Sequence, residues 1–119
     1  MESLAAHCIP DRDASILQVI VGEFDVGTPD EDFPHVKHEV KSFVVHPHFN
    51  SKNLQNDIAL LILKDPVKLA AHIGTICLPT LNENFDSRRC TVAGWGKNIY
   101  GRKGSYQKKL KKVDLDIVI

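Results

Sequence analysis

Apolar residues in this chain come in short, β-branched runs rather than in helical stripes. Leu17-Gln18-Val19-Ile20-Val21-Gly22-Glu23-Phe24 roughly alternates and breaks at Gly27-Thr28-Pro29-Asp30. Val40-Lys41-Ser42-Phe43-Val44-Val45 is a second run, stopped by His46-Pro47. Asp57-Ile58-Ala59-Leu60-Leu61-Ile62-Leu63 is a third, stopped by Lys64-Asp65-Pro66, and Thr91-Val92-Ala93-Gly94-Trp95-Gly96 is a short fourth. In the fifth, Val113, Leu115, Ile117 and Ile119 alternate with Asp114, Asp116 and Val118, which predicts a strand with one buried face. No window of about 11 residues carries a convincing helical period. Leu78–Arg89, with Pro79, Asn82, Asn84 and Asp86, reads as a connector between two strand-rich halves. Short strands separated by Gly, Pro and Asn turns predict an all-β fold, an antiparallel barrel or sandwich.

At 119 residues the chain makes one compact domain at most. Hydrophobic content of 43% and charged content of 25% are ordinary for a globular domain. Net charge is zero and the pI is about 7.0, so nothing global points to nucleic acid or a membrane surface as a partner. No stretch is apolar for the roughly 18 residues a membrane span needs, and residues 1–20 lack a basic start followed by an apolar block. The charge is nonetheless uneven. Residues 1–40 hold nine acids against Arg12 and Lys37, while residues 97–112 hold seven bases and no acid. That basic run reads first as a solvated face, and second as a docking patch for an acidic partner.

Candidate chemistry begins with Ala5-Ala6-His7-Cys8 and Asn56-Asp57-Ile58-Ala59-Leu60. Hydrolysis of an amide by serine needs a hydroxyl, a base for its proton, and a carboxylate that orients the base. Histidine is the usual base. Asp57 sits where a turn feeds an apolar strand, a placement expected to desolvate it. Taken singly, a histidine before a cysteine is more often a plain surface or core residue, and an aspartate opening a strand is usually a turn former. The order Ala-Ala-His-Cys, Asn-Asp-Ile-Ala-Leu 50 residues later, Ile76-Cys77-Leu78-Pro79, then Cys90 through Gly94-Trp95-Gly96 is far more specific.

These four motifs in order resemble the chymotrypsin-type, trypsin-like serine proteases over residues 5–119. The resemblance implies a double antiparallel β-barrel, here incomplete: residues 5–76 most of the first barrel, 77–88 a connector, 89–119 the start of the second. It implies His7 as general base and Asp57 as its orienting acid. It also makes Cys8, Cys77 and Cys90 half-cystines whose partners lie outside these residues, which places the parent protein in an oxidising, secreted setting. The partners implied are a protein or peptide substrate, or a partner protease or zymogen. The stretch Gly94-Trp95-Gly96-Lys97 through Leu110-Lys111-Lys112-Val113 further resembles the clip-domain group of arthropod proteases, and within it the phenoloxidase-activating factors and masquerade-like homologues. Many of that subgroup are non-catalytic.

The departures are as informative. Leu4 stands where the family usually has Thr or Ser, and Met1-Glu2-Ser3 resembles nothing upstream in the family. The Ile-Val-Gly-Gly start and the Gly-Asp-Ser-Gly-Gly block do not occur, and none of Ser3, Ser15, Ser42, Ser51, Ser87 or Ser105 lies in a related context. The chain alone is therefore expected to be inactive. Three readings follow: a segment of a serine endopeptidase, a segment of a non-catalytic homologue that binds another protease, or a truncated product with no function of its own. Unpaired barrel edges are expected to favour aggregation.

Metal chemistry is the weaker expectation. His35-x-x-His38 and His46-x-His48 have no carboxylate or cysteine at a matching spacing and read as loop and strand-end residues rather than a zinc site. Glu23, Asp25, Asp30, Glu31 and Asp32 crowd one loop, where they are weak candidates for calcium against the simpler reading of solvated acids.

Overall fold

A computed structural model describes residues 1–9 and 13–118. It is built from strands, β1 (Glu2–Leu4), β2 (Gln18–Val21), β3 (Val36–Val45), β4 (Ala59–Leu63), β5 (Arg89–Gly94) and β6 (Lys111–Asp116), with single 3-10 turns at Ala6–Cys8 and Ala14–Ile16. Among the described residues there is no α-helix, and no helix long and apolar enough to cross a membrane. This is the all-β, incomplete chymotrypsin-type barrel that the motifs imply. The chain divides into two compact units, Met1–Val21 with Val36–Ala70, and Gly22–His35 with Ala71–Ile119.

The first unit is a four-stranded antiparallel sheet in the order β1-β4-β3-β2. Strand β3 serves two neighbours. Its start, Val36–Glu39, pairs with β2, and its end, Val40–Val45, pairs with β4. The register slips between Val40 and Ser42. Such a bulge bends a strand and sharpens its twist, which is how a single strand curves a sheet into half a barrel. Val40, just before the slip, is 3% exposed, and Ala59 and Leu61 of β4 and Ala6 of the first turn are buried as well.

The second unit holds the β5–β6 ladder and the loop Gly22–His35. Backbone bonds tie that loop to the C-terminal residues, Val26 N–H to the Lys108 carbonyl at 2.9 Å and Leu110 N–H to the Phe24 carbonyl at 2.8 Å. The Trp95 indole N–H also donates to the Phe24 carbonyl, at 3.1 Å. Gly22 has φ +71°, and a Cβ there would lie 2.6 Å from the His72 ring, so this corner requires glycine.

Several expectations change. Strand β1 has no counterpart in the hydrophobic pattern, because three residues with two polar side chains leave no period to read. Strand β3 begins four residues before the apolar run does, its first half held by the β2 ladder rather than by burial. The buried face expected of the fifth run is not observed: Val113 and Leu115 are each 52% exposed. A two-stranded ladder has no second layer of its own to bury a face against. Ile119 lies outside the described residues.

With so few buried side chains, Leu61 carries a large share of the first unit's core. Leu61→Ala is expected to cost about 2–5 kcal/mol, read as a fall in urea midpoint. Val118→Ala, at an 89% exposed position, is expected to stay within about 0.5 kcal/mol of the parent.

Candidate active site

Register builds the first part of the site. Strand β1 pairs Leu4 with Ala59, and continuing that antiparallel alignment by two residues carries Ala6 to Asp57 with His7 beside it. The 3-10 turn Ala6–Cys8 then closes through Cys8 N–H to the Ala5 carbonyl at 3.0 Å and Ile9 N–H to the Ala6 carbonyl at 3.2 Å. Ala6 is 5% exposed, and its small side chain lets the two backbones approach.

Asp57 is delivered by a turn held at several points. Phe49 N–H donates to the His46 carbonyl, Asn50 N–H to the Gln55 carbonyl, and His46 N–H to the Ile58 carbonyl, each at 3.0 Å. Asn56 sits at φ +53°, a left-handed conformation that asparagine tolerates better than most residues. Its side-chain amide donates to the His48 carbonyl at 3.1 Å. This role of Asn56 was not visible in the motif, although an asparagine ending a polar turn is the signal for it.

Both carboxylate oxygens of Asp57 engage His7. Oδ1 accepts the His7 backbone N–H at 2.9 Å and Oδ2 meets the ring Nδ1 at 2.5 Å. The Asp57 side chain is 18% exposed and that of His7 52% exposed. Burial alone raises the Asp57 carboxyl. The hydrogen bonds from the His7 ring and backbone, the charge of the ring when protonated, and the Ala6 backbone outweigh it and hold the acid below its ordinary value. With Nδ1 committed to the carboxylate, Nε2 points away from the acid and shares a hydrogen bond with Cys8 Sγ at 3.5 Å. His7 also lines a pocket of about 240 Å³ with Ala6, Ile9, Val45, Phe49 and Ser51. The arrangement can take a proton at Nε2 from an incoming hydroxyl while the carboxylate stabilises the imidazolium that results.

Cys8, Cys77 and Cys90 are all free thiols, the first two exposed and Cys90 half-buried. In the second unit, Glu23, Glu31 and His35 converge. Asp25 is occupied in a turn, its Oδ1 accepting Gly27 N–H at 2.8 Å, while Asp30 and Asp32 are exposed and stand outside the cluster. His35 was not expected beside the acids, since four and twelve residues of chain separate it from Glu31 and Glu23. His46 and His48 pack edge to face at 5.7 Å.

The depressed Asp57 acid fixes the sign of a pH effect. A carboxyl lowered on folding adds stability above its unfolded value, and loses it as pH falls through the folded value. Asp57→Asn is expected to be less stable than the parent at pH 7. The gap should close as pH drops below the ordinary carboxylate range of about 4, followed by urea midpoints from pH 7 to pH 2.

Residues 5–119 match the trypsin family model. The chain is 41% identical over 115 residues to phenoloxidase-activating factor 2 of Galleria mellonella, covering 96% of this chain and 37% of that protein. It is 44% identical over 117 residues to inactive CLIP domain-containing serine protease A3 of Aedes aegypti, covering 95% of this chain and 24% of that protein. It is 36% identical over 114 residues to trypsin-3 of Salmo salar, covering 96% and 44%. The chain thus spans less than half the length of each of these relatives. The ordered motifs, the strand-built fold and a match over nearly every residue agree: this chain belongs to the trypsin family of serine proteases.

Proposed function

We propose that this chain supplies the base and the orienting acid of a serine endopeptidase site, with His7 as general base and Asp57 as the carboxylate that fixes its ring. The observation that carries this reading is the two-pronged contact, in which one oxygen holds the His7 backbone and the other its Nδ1. That contact sets the ring orientation before any substrate arrives and leaves Nε2 as the proton acceptor. Catalysis gains when the geometry is fixed in advance. The hydroxyl and the oxyanion donors would come from a Gly-Asp-Ser-Gly-Gly block, absent from these 119 residues. The substrate is a peptide bond in a protein or peptide. Residues 5–76 serve as first barrel, 77–88 as connector and 89–119 as the opening of the second. Cys8, Cys77 and Cys90 pair with cysteines outside this segment in an extracellular setting.

A second reading rests on the relatives. Three of them are named inactive CLIP domain-containing serine proteases and one a phenoloxidase-activating factor. On that reading the parent is a non-catalytic cofactor in an extracellular protease cascade of innate immunity, binding a partner protease or zymogen. Lys108, Lys109, Lys111 and Lys112 are the first surface to mutate.

Reading the full transcript to the Gly-Asp-x-Gly-Gly position separates the two: serine supports the endopeptidase and glycine the cofactor. For the endopeptidase, the full-length parent should be labelled by a fluorophosphonate probe, and Asp57→Asn should cut turnover by about 10⁴, the cost typical of neutralising a triad carboxylate. Labelling of a serine-bearing parent that is indifferent to His7→Ala would sink the proposal. The 119-residue chain by itself should not be labelled.

A further inference from the structure

The thiol of Cys8 meets the ring nitrogen of His7 that Asp57 does not hold, Sγ to Nε2 at 3.5 Å. We propose that His7 is also a base toward its own neighbour, and that the relay Asp57–His7–Cys8 makes Cys8 a nucleophile for thiol–disulfide exchange with a small soluble organic disulfide.

Three local constraints place the groups. Asp57 Oδ2 accepts the hydrogen bond from His7 Nδ1 at 2.5 Å, so the neutral ring carries its proton there and presents a bare lone pair at Nε2. Asp57 Oδ1 accepts the His7 backbone N–H at 2.9 Å and holds the main chain as well as the ring. The 3-10 turn Ala6–Cys8, closed by Cys8 N–H on the Ala5 carbonyl at 3.0 Å, then sets the next side chain against that lone pair. A nucleophile within reach of a base that is itself oriented by a third group is the general pattern of an activated nucleophile. Access is open, since Cys8 is exposed and the His7 side chain is half in solvent. Cys77 is exposed too, but among the described residues only Cys8 has its sulfur on an imidazole.

In the step itself, the Sγ–H proton passes to Nε2 while the Cys8 sulfur attacks one sulfur of the incoming disulfide. A new S–S bond forms at Cys8 and the incoming S–S bond breaks. The departing sulfur leaves with the electron pair and takes the proton back from Nε2. Cys8 is oxidised, the departing half is reduced to a thiol, and His7 ends as it began. Asp57 is the positioning residue, holding the ring and stabilising the imidazolium in between. A cysteine elsewhere in the parent can displace the mixed disulfide and complete the Cys8 pair. The chemistry needs no serine, so it applies to an endopeptidase and to a non-catalytic homologue alike.

The test mixes the reduced 119-residue chain with oxidised glutathione at pH 7, quenches with acid, and follows the mixed disulfide at each of the three cysteines by peptide mass. Cys8 is expected to react about tenfold or more faster than Cys77, less than the 10²–10⁴ typical of base catalysis because a thiol is already partly ionised at that pH. His7→Gln should bring Cys8 down to the Cys77 rate and leave Cys77 and Cys90 unchanged. Asp57→Asn should shrink the lead, because an amide favours the wrong ring tautomer. Concentrated urea should erase the lead in the unsubstituted chain, which tests the relay even where a variant fails to fold. Cys8 reacting no faster than Cys77 in the folded chain, or a lead that survives His7→Gln or urea, would overturn the proposal. Fluorophosphonate labelling of the parent reads a serine and not this thiol, so the two proposals fail separately.

Discussion

The pairing of β1 with β4 is the constraint on which the first unit depends. Three residues at the start of the chain and three after residue 58 lie side by side in fixed antiparallel register. Backbone hydrogen bonds set that register, and a slip of one residue would turn every side chain of the edge strand to the opposite face. It would also move Ala6 away from Asp57, so that neither His7 contact could form. Ala59, 1% exposed and opposite Leu4, is where the packing enforces the alignment. The barrel wall and the candidate site are therefore consequences of one strand alignment.

A shared logic runs through the two acidic centres, one in each unit. Asp57 has both oxygens satisfied by one neighbour, so its negative charge is stabilised locally and its ring partner is held still. Glu31 has one oxygen satisfied and one not. Carboxylates taken out of water need partners at every lone pair they can no longer offer to solvent. The first centre meets that requirement from within the chain, and in the second one oxygen meets it while the other has no hydrogen-bond partner among the described residues.

Much of the fold was legible from the positions of apolar residues, because β2, β4 and the end of β3 are runs whose apolar side chains are what the sheet packs. The parts that escaped were held by other forces. The edge strand Glu2–Leu4 is stabilised by backbone pairing and carries almost no hydrophobic signal. Alternation in Val113–Ile117 promised a buried face, but alternation states only that two faces differ, not that a second layer covers one. His7 and Asp57 were short-listed by motif order, whereas the register that brings their atoms together was not readable. The grouping of His35 with Glu23 and Glu31 was hidden because a loop, not a helix face or a strand face, does the gathering. Local spacing carries no information about such a set.

The bond between His7 and Asp57 joins positions 50 residues apart, and this has a consequence for how the chain is made. A ribosome adds about 5–20 residues per second, so roughly 3–10 seconds pass between the two. Strand β1 lacks its partner β4 throughout that interval. The edge that β4 will cover stays open to chaperones until β4 emerges. Non-local pairings of this kind fold slowly, and so the order of synthesis, as much as final stability, governs how much chain reaches the native register.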